Sequence, residues 1–145
     1  MRVRDYAIVV FYDKDLNIAV QERGAASKMG EKYAFWGGQI EEGETPKKAA
    51  IRELKEELSY RPKKLVYWGN YSFTITERGR YHGYLLNVSV FISPITLELE
   101  KTKVSEGSGL VKLSMEEVIQ ERGFLKGINK FMPKLKLFLE ERRNT

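Results

Sequence analysis

Residues 38–60 read GQIEEGETPKKAAIRELKEELSY, a glycine-bearing turn feeding a short helix rich in carboxylates. Thr45-Pro46 is a strong helix start. A threonine hydroxyl accepts from first-turn amides, and proline suits the first helical position because its missing N–H would be unpaired there anyway. The helix should run from Pro46 to about Ser59, roughly four turns. Arg61-Pro62 then ends it, since proline lacks an amide donor and biases the residue before it away from helical geometry. With Glu53 at zero on a wheel of about 100° per residue, Glu56 falls near −60° and Glu57 near +40°, so the three acids share a face. Ala50, Ile51, Leu54 and Leu58 occupy roughly 60–160°, an apolar stripe able to rest on a sheet.

Glu53 and Glu57 are four apart, where like charges repel by about 0.2–0.5 kcal/mol, a cost a helix tolerates. A cation among them would turn repulsion into attraction, and carboxylate oxygens are the ligands that hard Mg²⁺ or Mn²⁺ prefers. Arg52 and Lys55 interleave with the acids, so a solvated charged face competes with a metal site on the helix alone. The preceding residues shift the balance. Gly37, Gly38 and Gly43 permit backbone conformations and close approaches that side chains resist, and Glu44 lies beside the helix start. Arg52, next to these acids, is placed first to orient a carboxylate and second to contact a phosphate.

Outward from this segment the chain alternates between strand and helix patterns. Residues 6–12, YAIVVFY, and 18–21 flank a polar turn at 13–17 and predict two strands, read as a hairpin. Residues 24–32 form a loop, and 33–36 a brief strand-like piece. Residues 65–76 and 81–93 are strand-like around Glu77-Arg78-Gly79, a second hairpin with His82 in its second strand, on the sheet surface or in the core. Ser114 and Glu117 fit a capping box. Ile128, Phe131, Met132, Leu135, Phe138 and Leu139 recur at three and four as the core stripe of a last helix, with Pro133 near its start. Strands, helix, strands, helix without a repeat or linker predict an α/β fold, a mixed sheet flanked by helices.

The chain has 145 residues, 42% apolar and 31% charged, which suits one ordered domain spanning 1–145. It contains no cysteine, so disulfides, thiolate nucleophiles and cysteine-held metals are excluded. No apolar run reaches membrane-spanning length, and charge returns at Asp13 before a signal-peptide core could form, so a cytoplasmic protein with no membrane partner is expected. The net charge of +5 is spread along the chain. It favours small phosphorylated molecules over nucleic acid as partners. Oligomeric state stays open, a homodimer included.

Gly38, Glu44, Arg52, Glu53, Leu54, Glu56 and Glu57 resemble, in identity and spacing, the Nudix box: Gly, five residues, Glu, seven residues, Arg-Glu-aliphatic, one residue, Glu-Glu, one residue, Gly-aliphatic. Ser59 and Tyr60 depart from its last Gly-aliphatic pair, and Phe35-Trp36-Gly37-Gly38 stands where many members have Phe-Pro-Gly-Gly. The resemblance implies a Nudix-like α/β/α sandwich, with the box at 38–60 as loop, helix and loop. It also implies metal-dependent hydrolysis of a nucleoside diphosphate linked to another moiety, with Mg²⁺ as cofactor and Mn²⁺ as substitute.

Carried over residue by residue, Glu53, Glu56 and Glu57 are the expected metal ligands, with the Gly38 carbonyl beside them. Glu57 is the strongest of these and Glu53 a ligand or base. Arg52 belongs to the same catalytic group. Glu106, in the Ser105-Glu106-Gly107 loop, resembles the acidic loop residue that serves some relatives as base or extra ligand. Arg23, Trp36, Gly37 and Gly38 are the candidate substrate contacts, with packing under the loop the favoured alternative for Trp36. A compact chain with these features resembles the branch that splits nucleoside triphosphates into a monophosphate and pyrophosphate. ADP-ribose or nucleotide-sugar hydrolysis, and a noncatalytic nucleotide-binding module, are the alternatives.

Overall fold

Ala7, Ile8, Val9, Val10 and Phe11 are all buried, which one face of a strand cannot accomplish because successive side chains point to opposite sides. The computed structural model, which describes residues 2–24, 27, 30–102, 109–120 and 123–143, resolves this by putting the strand in the middle of a sandwich. Strand β1 (Val3–Tyr12) sends Ala7, Val9 and Phe11 into one apolar layer and Ile8 and Val10 into the other. The first layer is closed by helix α1 (Pro46–Leu58) through Ala49, Ala50, Leu54 and Leu58. The second is closed by α3 (Met115–Gln120) and α4 (Met132–Arg143) through Met115, Val118, Met132, Leu135 and Leu139. A short helix, α2 (Leu97–Glu100), adds Leu99 to the α1 layer.

The mixed sheet is the expected one, with a connectivity the sequence pattern does not display. β1 runs parallel to β6 (Leu85–Pro94) along an unbroken register from Val3 opposite Leu85 to Tyr12 opposite Pro94. β5 (Val66–Thr74) pairs antiparallel with β6, with an irregularity between Tyr67 and Gly69. On its other edge β1 meets β2 (Asn17–Glu22) only at Phe11 with Ala19 and Tyr12 with Ile18. Beyond those pairs the two strands part. β3 (Tyr33–Ala34) takes up the freed edge of β2, and β4 (Trp36–Gln39) that of β1. β7 (Gly109–Ser114) lines the far edge of β2.

The punctuation read from the sequence is in place. The Thr45 hydroxyl accepts from the Lys48 amide at 3.2 Å, and Pro46 opens α1. Ser114 and Glu117 exchange the two bonds of a capping box, at 3.0 and 3.1 Å. Ser59 ends α1 in the left-handed region, φ 51° and ψ 39°, with its N–H donating to the Lys55 carbonyl at 2.9 Å. Tyr60 turns inward against Phe11, and its hydroxyl shares a 2.7 Å hydrogen bond with Thr96.

Three expectations are corrected. Gly37 and Gly38 belong to β4 and pair with Ile8 and Ala7, so the turn proper comes later, around Gly43. His82 is exposed on the turns before β6, because the chain folds back through Gly79 and Gly83 at positive φ before the ladder begins. Ile128 and Phe131 precede α4, which starts at Met132 with Pro133 in its first turn, where a proline needs no amide partner. Among the described residues no helix is long and apolar enough to cross a membrane.

Candidate active site

The functional segment is assembled by the close approach of β4 to α1. A Cβ on Gly37 would run into the carbonyl oxygen of Ala7, and one on Gly38 would lie 2.5 Å from the Glu53 carboxylate. Two bare α-carbons in succession therefore let the helix lay its acids directly on the strand. The Gly37 amide donates to Glu57 Oε1 at 3.0 Å.

Arg52 fixes the loop between them. Its Nε donates to Glu44 Oε2 at 2.7 Å and its NH2 to Glu44 Oε1 at 3.0 Å, a forked pair. NH2 also donates to the Gln39 carbonyl at 2.9 Å, while NH1 donates to Glu53 Oε1 at 2.9 Å and reaches Glu56 Oε2 at 3.5 Å. Glu44 in turn accepts the Glu41 amide at 2.9 Å. Arg52 is thus bonded to carboxylates on both sides of the loop, with Glu44 its forked partner. The hydrogen bond from Arg52 holds the Glu44 carboxyl below the usual carboxylate range.

Glu53 and Glu57 open into a cavity of about 450 Å³ at the split between β1 and β2. One wall is apolar, with Ile8, Phe35, Ile75, Leu86, Leu125 and Ile128; the other carries Gly37, Gly38 and the two acids. Burial pushes the Glu57 carboxyl up to about 8, against the pull of the Gly37 amide, with the Glu53 charge adding to the rise. Burial also raises Glu53, opposed by its bond to Arg52.

Glu56 does not join them. Its side chain is 59% exposed, turned toward Arg52 and away from the cavity lining. Among the described residues no three acid or imidazole side chains lie close enough together to hold a metal ion. The donor chemistry nevertheless suits a hard divalent cation: carboxylate oxygens on α1, the carbonyl of half-buried Gly38 in β4, and half-buried negative charge that a dication would relieve. Glu56 is held to Arg52 by a single long contact, 3.5 Å.

The remaining expected residues divide. Arg23 lines the cavity, its NH1 donating to Gln21 at 2.8 Å and its Nε to Glu31 at 3.4 Å. Trp36 is fully buried in the α1 layer and is not among the cavity-lining residues, in keeping with the packing favoured for it over a substrate contact. Glu106 lies outside the described residues. Sequence reading missed Arg4, Tyr81 and Gln21 as cavity residues. For Arg4, Tyr6 and Ile8 the signal was the two-residue alternation along β1.

The NUDIX domain profile matches residues 1–135. The 8-oxo-dGTP diphosphatase of Escherichia coli K12 is 37% identical over 62 residues, 43% of this chain and 48% of that enzyme. The 8-oxo-dGTP diphosphatase of Proteus vulgaris is 43% identical over 49 residues, 34% of this chain and 44% of that enzyme. The chain thus spans under half the length of these relatives. A MutT protein from Methanosarcina mazei Go1 superposes with a TM-score of 0.74 at 16% identity, covering 99% of this chain and 97% of that one, a likeness of fold.

Proposed function

Because the chain belongs to the NUDIX family, we propose that it is a pyrophosphohydrolase that splits a phosphoanhydride of a nucleoside triphosphate, or of a related nucleoside diphosphate derivative, to a nucleoside monophosphate and pyrophosphate. The observation that carries this reading is the pair Glu53 and Glu57, half-buried side by side against the bare backbone of Gly37 and Gly38 in one cavity. Mg²⁺, or Mn²⁺ in its place, held by Glu53, Glu56, Glu57 and the Gly38 carbonyl, would supply charge neutralisation of the phosphate oxygens and a more acidic water.

The chain's own groups do the rest. Arg23, which lines the same cavity, meets the phosphates there, and the glycines let the polyphosphate lie close to the backbone. Arg52 holds Glu53 by Oε1, leaving Oε2 either to the metal or, with Glu53 as the base, to the proton of the attacking water. Glu106 is the second candidate for that proton. The new P–O bond forms from the water oxygen as the anhydride P–O bond breaks, and pyrophosphate carries away the released charge.

The names of the relatives put oxidised deoxyguanosine triphosphate first among substrates to be tried. The test is turnover with Mg²⁺ or Mn²⁺ on ordinary and oxidised nucleoside triphosphates, ADP-ribose and sugar nucleotides, with both products identified. Metal-dependent release of a monophosphate and pyrophosphate is expected, along with a loss of about 10³-fold or more in Glu57→Gln. Full turnover by Glu57→Gln at saturating metal would remove that residue from the site.

A further inference from the structure

Helix α1 has a second surface that the hydrolytic chemistry leaves unused. On the wheel that puts Glu53 at zero and Glu57 near +40°, Lys47 and Ile51 fall near 120° and 160°, and Lys55 and Lys48 near 200° and 220°. Charges interleaved in sequence are thereby sorted in space: Glu53 and Glu57 line the cavity, while Lys47, Lys48 and Lys55 are exposed. The loop that leaves α1 adds exposed Arg61, Lys63 and Lys64 before β5 begins. Lys47, Arg61 and Lys63 line one surface hollow of about 380 Å³, with Ile51, Pro62 and Leu65 as its apolar part. Its lining shares no residue with that of the cavity holding Glu53 and Glu57.

Among the described residues Lys47, Arg61 and Lys63 form no ion pair with a carboxylate, whereas Arg23, Arg52, Lys112 and Lys136 each do. The three cations therefore share a hollow with no countercharge of the protein's own within ion-pair distance. Lys47 also stands in the first turn of α1, which carries no acid, although the helix dipole favours carboxylates and disfavours cations at that end. A charge held where it works against its own helix marks a place given over to binding. Three cations in one hollow are matched by a polyanion. A guanidinium grips paired phosphate oxygens as a fork, and ammonium groups beside it add point charge.

We propose that this hollow is a second anion site, which takes a diphosphate or triphosphate group without a metal ion, on a side of α1 distinct from its carboxylate face. The group is carried either by inorganic pyrophosphate or by a nucleotide. The site does not rest on the hydrolase reading, since none of its residues takes part in that chemistry.

Calorimetry in EDTA at low ionic strength, where exposed charges are least screened, measures Kd for pyrophosphate, for the β,γ-methylene analogue of ATP and for citrate. Wild type is compared with Arg61→Gln/Lys63→Gln, with Lys47→Glu, with an equal charge loss at exposed Lys130→Gln/Lys134→Gln, and with Arg23→Gln in the cavity. Wild type should bind pyrophosphate, and each hollow variant should weaken it about tenfold or more, while the Lys130/Lys134 control and Arg23→Gln stay within about twofold. Lys47→Glu should melt at or above the wild-type temperature, since an acid suits the first turn, so its lost affinity is not a lost fold. Tighter binding of the ATP analogue, with the same dependence on the hollow, names a nucleotide as the occupant; equal or weaker binding names free pyrophosphate. No binding by wild type, or a matching loss in the Lys130/Lys134 control or in Arg23→Gln, would overturn the proposal. Citrate held as tightly as pyrophosphate would overturn the assignment to phosphate. A dependence on the hollow seen only with a single-stranded oligoribonucleotide would overturn it too and give the surface to RNA.

Discussion

Glu57 illustrates how a carboxylate can be costly to the fold and useful to the site. Its carboxyl is pushed up to about 8 from an ordinary 4.5, chiefly by burial, so in the metal-free protein the folded state holds a proton that the unfolded chain has released. Glu57's contribution to stability is therefore fully present below about 4.5 and is lost as pH rises toward about 8. In EDTA, Glu57→Gln should melt at the same temperature as wild type near pH 4.5 and at a higher one near pH 8, because the amide has no charge to desolvate. Scanning calorimetry at the two pH values checks this; a variant that melts lower than wild type at pH 8 would contradict it. A saturating divalent cation should narrow the gap at pH 8 by stabilising the wild type.

At the level of elements, the two glycines of β4 have different duties, and substitution separates them. Gly37→Ala sets a methyl group against backbone of β1, at φ 132°, and should cost about 2–3 kcal/mol or more in urea unfolding. Gly38→Ala meets only the end of the Glu53 side chain, which can move, so the fold should survive while turnover falls sharply. If Gly38→Ala keeps wild-type turnover, the placement of Glu53 against β4 is not what the chemistry uses. At the other end of α1, Ser59 occupies a left-handed position that favours glycine, and Ser59→Gly should stabilise by about 0.5–1 kcal/mol with turnover unchanged.

The helix itself was legible because its signals are local: Thr45-Pro46 at the start, Ser59 at the exit, acids and apolar residues on separate sides. The same local logic placed three glutamates on one face. It could not foresee that Glu56 turns outward to Arg52 while Glu53 and Glu57 face the cavity, since that depends on where β4 lies. Gly37-Gly38 read as a turn for a similar reason. Glycine's conformational freedom is visible in sequence, whereas the neighbouring strand that demands its small size is some thirty residues away.

On the scale of the whole molecule, pairing between distant segments decides what sequence could not. The parting of β1 and β2, with β3 and β4 on the freed edges, opens the cavity and brings Arg4 and Tyr6 to it. β7 begins at Gly109 opposite Glu22, one residue before the cavity residue Arg23, so this strand starts beside the site. Glu106→Gln should lower kcat by about 10²-fold or more without changing the melting temperature, if it takes the proton of the attacking water. Wild-type kcat would leave Glu53 as the base.

The parallel ladder between β1 and β6 joins residues 82 positions apart in sequence. Closing so long a loop is entropically expensive before any contact rewards it. During synthesis β1 must wait, its apolar faces uncovered on both sides, until β6 has left the ribosome. Folding should accordingly be slow for a chain of this size, and the interval before β6 emerges is when the nascent protein is most exposed to aggregation and most dependent on chaperones.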